Sequence, residues 1–187
     1  MEPEKPDAVA RKEIWSAAYE TLYDSGYNEL FSEKLLSRWQ LFDDLTRVLV
    51  AVTTTSSSAA AGLAIWSWPV FKQVWASLAA LGILLSIISS SLRSPTRLKA
   101  WAASKQEFGT LYIELETFMF NMRIDKKASI PELKREFNKW RTRYVQAKQR
   151  IPLDRLVTEK IANSSQEAMD IRIRRSILYQ SNGTRNQ

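Results

Sequence analysis

The chain has 187 residues, 27 Lys and Arg against 20 Asp and Glu for a net charge of +7, and neither cysteine nor histidine. That composition excludes disulfides, thiolate nucleophiles, histidine general bases and the usual zinc or haem ligands. The five glycines include no pair at G-x-G spacing, so a Gly-rich phosphate loop is excluded too.

Charge is unevenly distributed: residues 1–47 carry a net −4 and residues 94–187 a net +9. The two arms have the complementary signs needed to pair, within one chain or between neighbours. The competing reading is that the basic excess meets anionic lipid headgroups. Candidate acid/base pairs such as Lys105 with Glu107, or Glu114 with Glu116, lie two residues apart and do not share a helix face. They read as solvated surface, and the chain as a non-enzyme with no cofactor and no metal.

Taken in order, residues 1–47 read as an amphipathic helical arm. Asp7 is placed to cap a first helix, in which Trp15, Ala18, Tyr19, Leu22 and Tyr23 recur at helical spacing. Asp24-Ser25-Gly26 is expected to weaken or break it. A second segment places Phe31, Leu35, Trp39, Phe42, Leu45 and Leu49 on one face and runs without a breaker into an apolar stretch.

Residues 48–71 and 73–92 contain no charge, and only Lys72 separates them. The mean hydropathy of −0.28 conceals this because polar flanks dilute it. A helix needs roughly 20 mostly apolar residues to cross a hydrocarbon core of about 30 Å. The pair therefore reads as a transmembrane hairpin over 48–92, with spans at about 48–68 and 73–92 and Pro69 at the turn. A buried hairpin inside a soluble bundle is the weaker alternative, since Gly82 to Ile88 offers no charged face. Trp66, Trp68 and Trp75 sit around the tip as interface anchors, while Arg47, Arg93, Arg97 and Lys99 gather at the open end. The positive-inside bias puts both termini in the cytoplasm. The acidic opening Met1-Glu2-Pro3-Glu4 argues against a cleaved signal peptide, so the first span is expected to serve as an uncleaved anchor.

Thr53, Thr54, Thr55, Ser56, Ser57 and Ser58 place six consecutive hydroxyls within the first span. Each is able to bond back to the preceding turn, so insertion is tolerated. They read either as interhelical glue or as the polar lining of a pore built from several copies, because two spans cannot enclose a channel alone. Gly62 with Ser58, and Gly82 with Ser86 and Ser90, form small-xxx-small steps for close helix packing.

Residues 93–180 read as a cytoplasmic helical region, and 181–187 as a disordered tail. Ser94-Pro95 signals a helix start or a kink. A heptad seam comes next: Leu98, Lys105, Tyr112 and Met119 on one position, Trp101, Phe108, Leu115 and Met122 on another. It is expected to pack on the first arm or, alternatively, on a second copy. After a connection over 124–128, Ser129 and Glu132 have capping-box spacing, and Leu133, Phe137, Trp140 and Tyr144 form an apolar stripe. Pro152 interrupts, and a last helix is expected from about Leu153 to Tyr179. The cations Lys134, Arg135, Lys139, Arg141, Arg143, Lys148 and Arg150, with Arg172, Arg174 and Arg175, have the charge to meet phosphates. The solvated or lipid-facing reading outweighs nucleic-acid contact at this level.

The layout is an amphipathic arm, a first span, a minimal Trp66-Ser67-Trp68-Pro69 turn and a second span. Then come a long helix through Lys99-Ala100-Trp101 and Leu111-Tyr112-Ile113 and a later helix with Trp140 and Tyr144. This order resembles the SLATT family, the SMODS- and SLOG-associating two-transmembrane effectors of bacteria, over residues 11–179. The resemblance rests on layout rather than an invariant motif and carries over no catalytic or ligand residue. It implies a membrane effector of antiphage, abortive-infection systems at the bacterial inner membrane, which oligomerises and permeabilises the bilayer when a partner signals. Partners in that family include nucleotide second-messenger synthases, SLOG proteins and reverse transcriptases. The fold class expected is all-α: a two-helix transmembrane hairpin with a cytoplasmic bundle formed by the two arms. The competing class is a non-conducting membrane adaptor whose basic arm tethers a nucleic-acid or protein complex.

Overall fold

A computed structural model describes residues 6–56, 73, 77, 80–84, 87, 94–154 and 156–183. Among these residues every regular element is helical and no strand occurs. The helices are α1 (Pro6–Ser56), α2 (Ser94–Ile124), α3 (Ile130–Gln149) and α4 (Glu159–Gly183). By contact the chain divides into two units, Met1–Leu35 with Ala100–Gln187, and Leu36–Lys99.

Helix α1 begins one residue before its expected cap. Pro6 is already helical, and Asp7 lies in the first turn, where its charge favours the positive end of the helix dipole. The expected break at Asp24-Ser25-Gly26 does not occur. Glycine costs a helix about 1 kcal/mol, but a Cβ on Gly26 would stand 2.6 Å from Met169 Sδ and 2.9 Å from Tyr112 Cδ2. The absent side chain is what allows α2 and α4 to come this close, so packing overrides propensity. The small polar residues beside it satisfy themselves locally: Thr21 Oγ1 donates to the Ala17 carbonyl at 2.8 Å and Ser25 Oγ to that of Thr21 at 2.7 Å.

The larger core of the first unit joins Ile14, Ala18 and Leu22 of α1 to Tyr112, Leu115, Phe118, Met119 and Met122 of α2, with Leu133 and Phe137 of α3 and Met169 of α4. A smaller cluster contains Phe108, Leu111 and Ala147, with Tyr144 and Ile151 against it. Full burial of a Leu, Phe or Met contributes about 1.5–3 kcal/mol, so these contacts dominate the assembly of the four elements. Phe118 stacks on Phe137 at 6.3 Å between centroids, and Trp101 meets Phe31 edge-on at 6.0 Å.

Helix α3 starts at its expected place: the Glu132 carboxylate accepts from the Ser129 N–H at 3.3 Å and from its hydroxyl at 2.8 Å. Those two bonds hold the exposed Glu132 carboxyl below its ordinary range. Helix α4 starts at Glu159, six residues after the expected Leu153. Asp154 explains the delay, because it accepts from the Trp101 indole N–H at 2.8 Å and from the Leu156 N–H at 2.9 Å. That Asx-type turn pins the segment to α2, and helical bonding resumes only with Ile161 and Ala162 donating to the Thr158 carbonyl. Helix α4 ends at Gly183, four residues past the expected Tyr179 and inside the stretch expected to be a disordered tail; residues 184–187 lie outside those described.

In the second unit, Trp39 is buried and meets Phe42 edge-on at 6.0 Å. Leu45, expected on the same face, is instead 54% exposed, and Thr46 is buried in its place. Successive steps of 4, 3 and 4 from Leu35 lead through Trp39 and Phe42 to position 46 rather than 45. Thr46 meets the burial by donating to the Phe42 carbonyl at 2.8 Å.

Candidate functional site

The unusual surface of the second unit is apolar. On α1, Leu41, Leu45 and Val48 are 71%, 54% and 60% exposed, and their spacing of 4 and 3 puts them on one face. Leu81, Ile83, Leu84 and Ile87 are exposed by 53–62%. Soluble proteins expose single apolar residues freely, but a sustained set of branched aliphatics marks contact with lipid or protein. Polar residues are interspersed along the same stretch, with Arg38, Gln40 and Asp44 exposed and Arg47 paired with Asp43 at 2.9 Å. Among the described residues no helix is long and apolar enough to cross a membrane, and most of 57–92 lies outside them.

The first unit carries two adjoining grooves. One, of about 520 Å³, is lined by Trp15, Tyr19, Tyr112, Phe120 and Arg123 among others. The second, of about 870 Å³, runs past Lys12, Trp15, Arg123, Lys126 and Lys127. Trp15 and Tyr19, expected on the packed face of α1, are partly exposed here, and Ile14 takes the buried place. Arg11 closes the end of the second groove. Its guanidinium donates to the carbonyls of Met122, Asp125, Lys126 and Ala128 at 3.1, 3.1, 3.2 and 2.7 Å, satisfying groups that the end of α2 leaves open. No local pattern marks Arg11, whose partners are more than 100 residues away.

Polar links tie α1 to the later helices. Arg172 donates to Glu29 at 2.7 Å and stands 4.0 Å from the Tyr112 ring centroid; Lys105 pairs with Glu33 at 3.2 Å. Acidic residues of the N-terminal arm thus meet basic residues of the C-terminal arm within one chain. Tyr23 donates to Asp170 at 2.6 Å; that hydrogen bond and then burial push its phenol up to about 12. Tyr144 donates to Asp24 at 2.9 Å, and burial followed by this bond raises its phenol further. These groups hold protons firmly rather than exchange them near neutrality. Among the described residues no group of three or more carboxylates is placed to hold a metal ion.

Of the residues singled out from the sequence, Trp101, Phe108, Tyr112 and Leu115 are buried, and Leu98 is half-buried. The four buried residues pack inside this chain. Arg97 is half-buried in α2, and Gly82 is buried among exposed aliphatics. Thr53, Thr54, Thr55 and Ser56 form the end of α1. Ser57, Ser58, Gly62, Trp66, Trp68, Trp75, Ser86, Ser90 and Arg93 lie outside the described residues.

Family models, curated proteins and solved structures yield no match to this chain.

Proposed function

We propose that this chain is a bacterial membrane effector of an antiphage, abortive-infection type, which oligomerises and permeabilises the inner membrane when a partner or nucleotide signal triggers it. The observation that carries the reading is the exposed aliphatic set Leu41, Leu45, Val48, Leu81, Ile83, Leu84 and Ile87, contributed by the segments that enter and form the charge-free stretches. Lipid is the solvent such side chains favour. In this reading residues 48–68 and 73–92 cross the bilayer as a hairpin, with Trp66, Trp68 and Trp75 at the far interface and Arg93 and Arg97 at the near one. Both termini and the first unit are cytoplasmic. Gly62, Gly82, Ser86 and Ser90 let the spans approach closely, and Thr53 to Ser58 supply a hydroxyl-bearing path between copies. The resemblance in layout to SLATT effectors supports the same reading and names the class of trigger: a nucleotide second-messenger synthase, a SLOG protein or a reverse transcriptase.

Induced expression, followed by propidium uptake and a membrane-potential dye, tests the reading. Depolarisation with dye entry is the expected result. The double substitution Thr54→Leu with Ser57→Leu should leave membrane insertion intact and reduce killing at least tenfold. Equal killing by that variant removes the hydroxyl run from the mechanism. Cells that stay polarised while the protein retains a bound complex make it a membrane adaptor instead.

A further inference from the structure

We propose that the outer face of α3 binds duplex DNA by entering its major groove. This assignment does not rest on the effector reading, because it uses only the first unit.

At about 100° of rotation per residue, Leu133, Phe137, Trp140, Tyr144 and Ala147 point α3 into the core, buried or half-buried. Directly opposite lie Asn138, Thr142, Val145 and Gln149, all exposed. Cations form a rail on either side of this strip. Lys134, Arg141 and Lys148 recur every seven residues along one edge; Arg135 and Lys139 stand along the other, and all five are exposed. None of the five makes a direct ion pair with a described residue, though Arg135 lies near enough to Glu132 to interact with its charge; Arg143 and Arg150 are engaged by Glu114 and Glu107. The rails are also steadied from below: Lys139 Nζ lies 4.9 Å from the Trp140 ring centroid, and Lys148 Nζ 5.6 Å from that of Tyr144.

Each feature selects among polyanions. A helix of roughly 10–12 Å diameter fits a B-form major groove about 12 Å wide. It then meets phosphates along its flanks and base edges along its centre. Asn and Gln are the side chains suited to adenine edges, and Val145 to a thymine methyl. A-form RNA closes its major groove to a helix. Single strands need exposed stacking rings, and the three aromatic residues of α3, Phe137, Trp140 and Tyr144, face inward. A membrane-surface helix needs apolar side chains to insert, and this strip offers only Val145.

Fluorescence anisotropy of a labelled DNA duplex with the full-length chain, in detergent or nanodiscs, tests the proposal. Five phosphate contacts predict a slope of log K against log salt of about −4 to −5. The variant Lys134→Gln, Arg141→Gln, Lys148→Gln should flatten that slope by about 3 without lowering the melting temperature. The charge-matched variant Lys160→Gln, Arg174→Gln, Arg175→Gln, on α4, should leave it nearly unchanged. Asn138→Ala with Gln149→Ala should relax the preference among duplex sequences at constant slope. The proposal is overturned by any of four results: no duplex binding at about 50 mM salt, single-stranded DNA binding as tightly, equal flattening by the α4 variant, or displacement of the duplex by phosphatidylglycerol vesicles at matched phosphate.

Discussion

Gly26 shows how one missing side chain sets the approach of three helices. A Cβ there would overlap Met169 and Tyr112, and overpacking of this kind typically costs about 1–3 kcal/mol. Gly26→Val should lower stability by about 2 kcal/mol or more, read as a lower thermal midpoint. A simple propensity argument predicts the opposite sign, since glycine is the poorer helix former. The tyrosines supply a test by pH. The Tyr23 phenol is raised to about 12 in the folded chain against an ordinary value near 10. Below pH 10 both states hold the proton and the contribution is complete; between about 10 and 12 only the folded state keeps it. Stability should therefore fall as pH rises through that window, helped by Tyr144, which is raised in the same direction. Tyr23→Phe should make the alkaline fall measured by circular dichroism shallower, and an unchanged profile would exclude the Tyr23–Asp170 bond as its source.

Among the elements, the connection between α3 and α4 is governed by one carboxylate. Asp154 accepts from the fully buried Trp101 and from the Leu156 N–H. Asp154→Ala leaves the indole N–H without that acceptor, at a cost of about 1–3 kcal/mol. Hydrogen exchange should accelerate over 151–158 before it does elsewhere; uniform acceleration would mean the turn is not separately pinned. The elements differ in how plainly their local sequence announces them. The start of α3 and its Leu133–Phe137–Trp140–Tyr144 stripe are readable because a capping pair and a helical repeat act within a few residues. The start of α4 is not, because the group that delays it bonds to a tryptophan 53 positions away. The Leu45–Thr46 exchange is of a different kind: a one-residue rotation of the face, invisible where a threonine can satisfy its hydroxyl on its own helix.

For the molecule as a whole, the medium is the decisive variable. Seven large aliphatics more than half exposed, beside two charge-free stretches of the sequence, carry the proposal that lipid surrounds the second unit. The full-length chain should sediment with membranes after alkaline carbonate washing and should require detergent to remain dispersed. A stable detergent-free monomer would sink both the hairpin and the proposed killing activity.

Helical class, the lack of cysteine and histidine, the charge-free pair and the heptad positions come from the amino acids alone. Each depends on composition or on a short repeat, which a single segment expresses without help. Tertiary structure decided that α1 runs unbroken through Gly26, that Arg11 closes the far end of α2, and that the α2 seam from Phe108 to Met122 packs inside the chain. It also decided that Trp140 and Tyr144 turn inward and leave a polar strip between two rails of exposed cations on α3. Those outcomes depend on which distant groups meet, and a local pattern is equally compatible with several partners until packing chooses one.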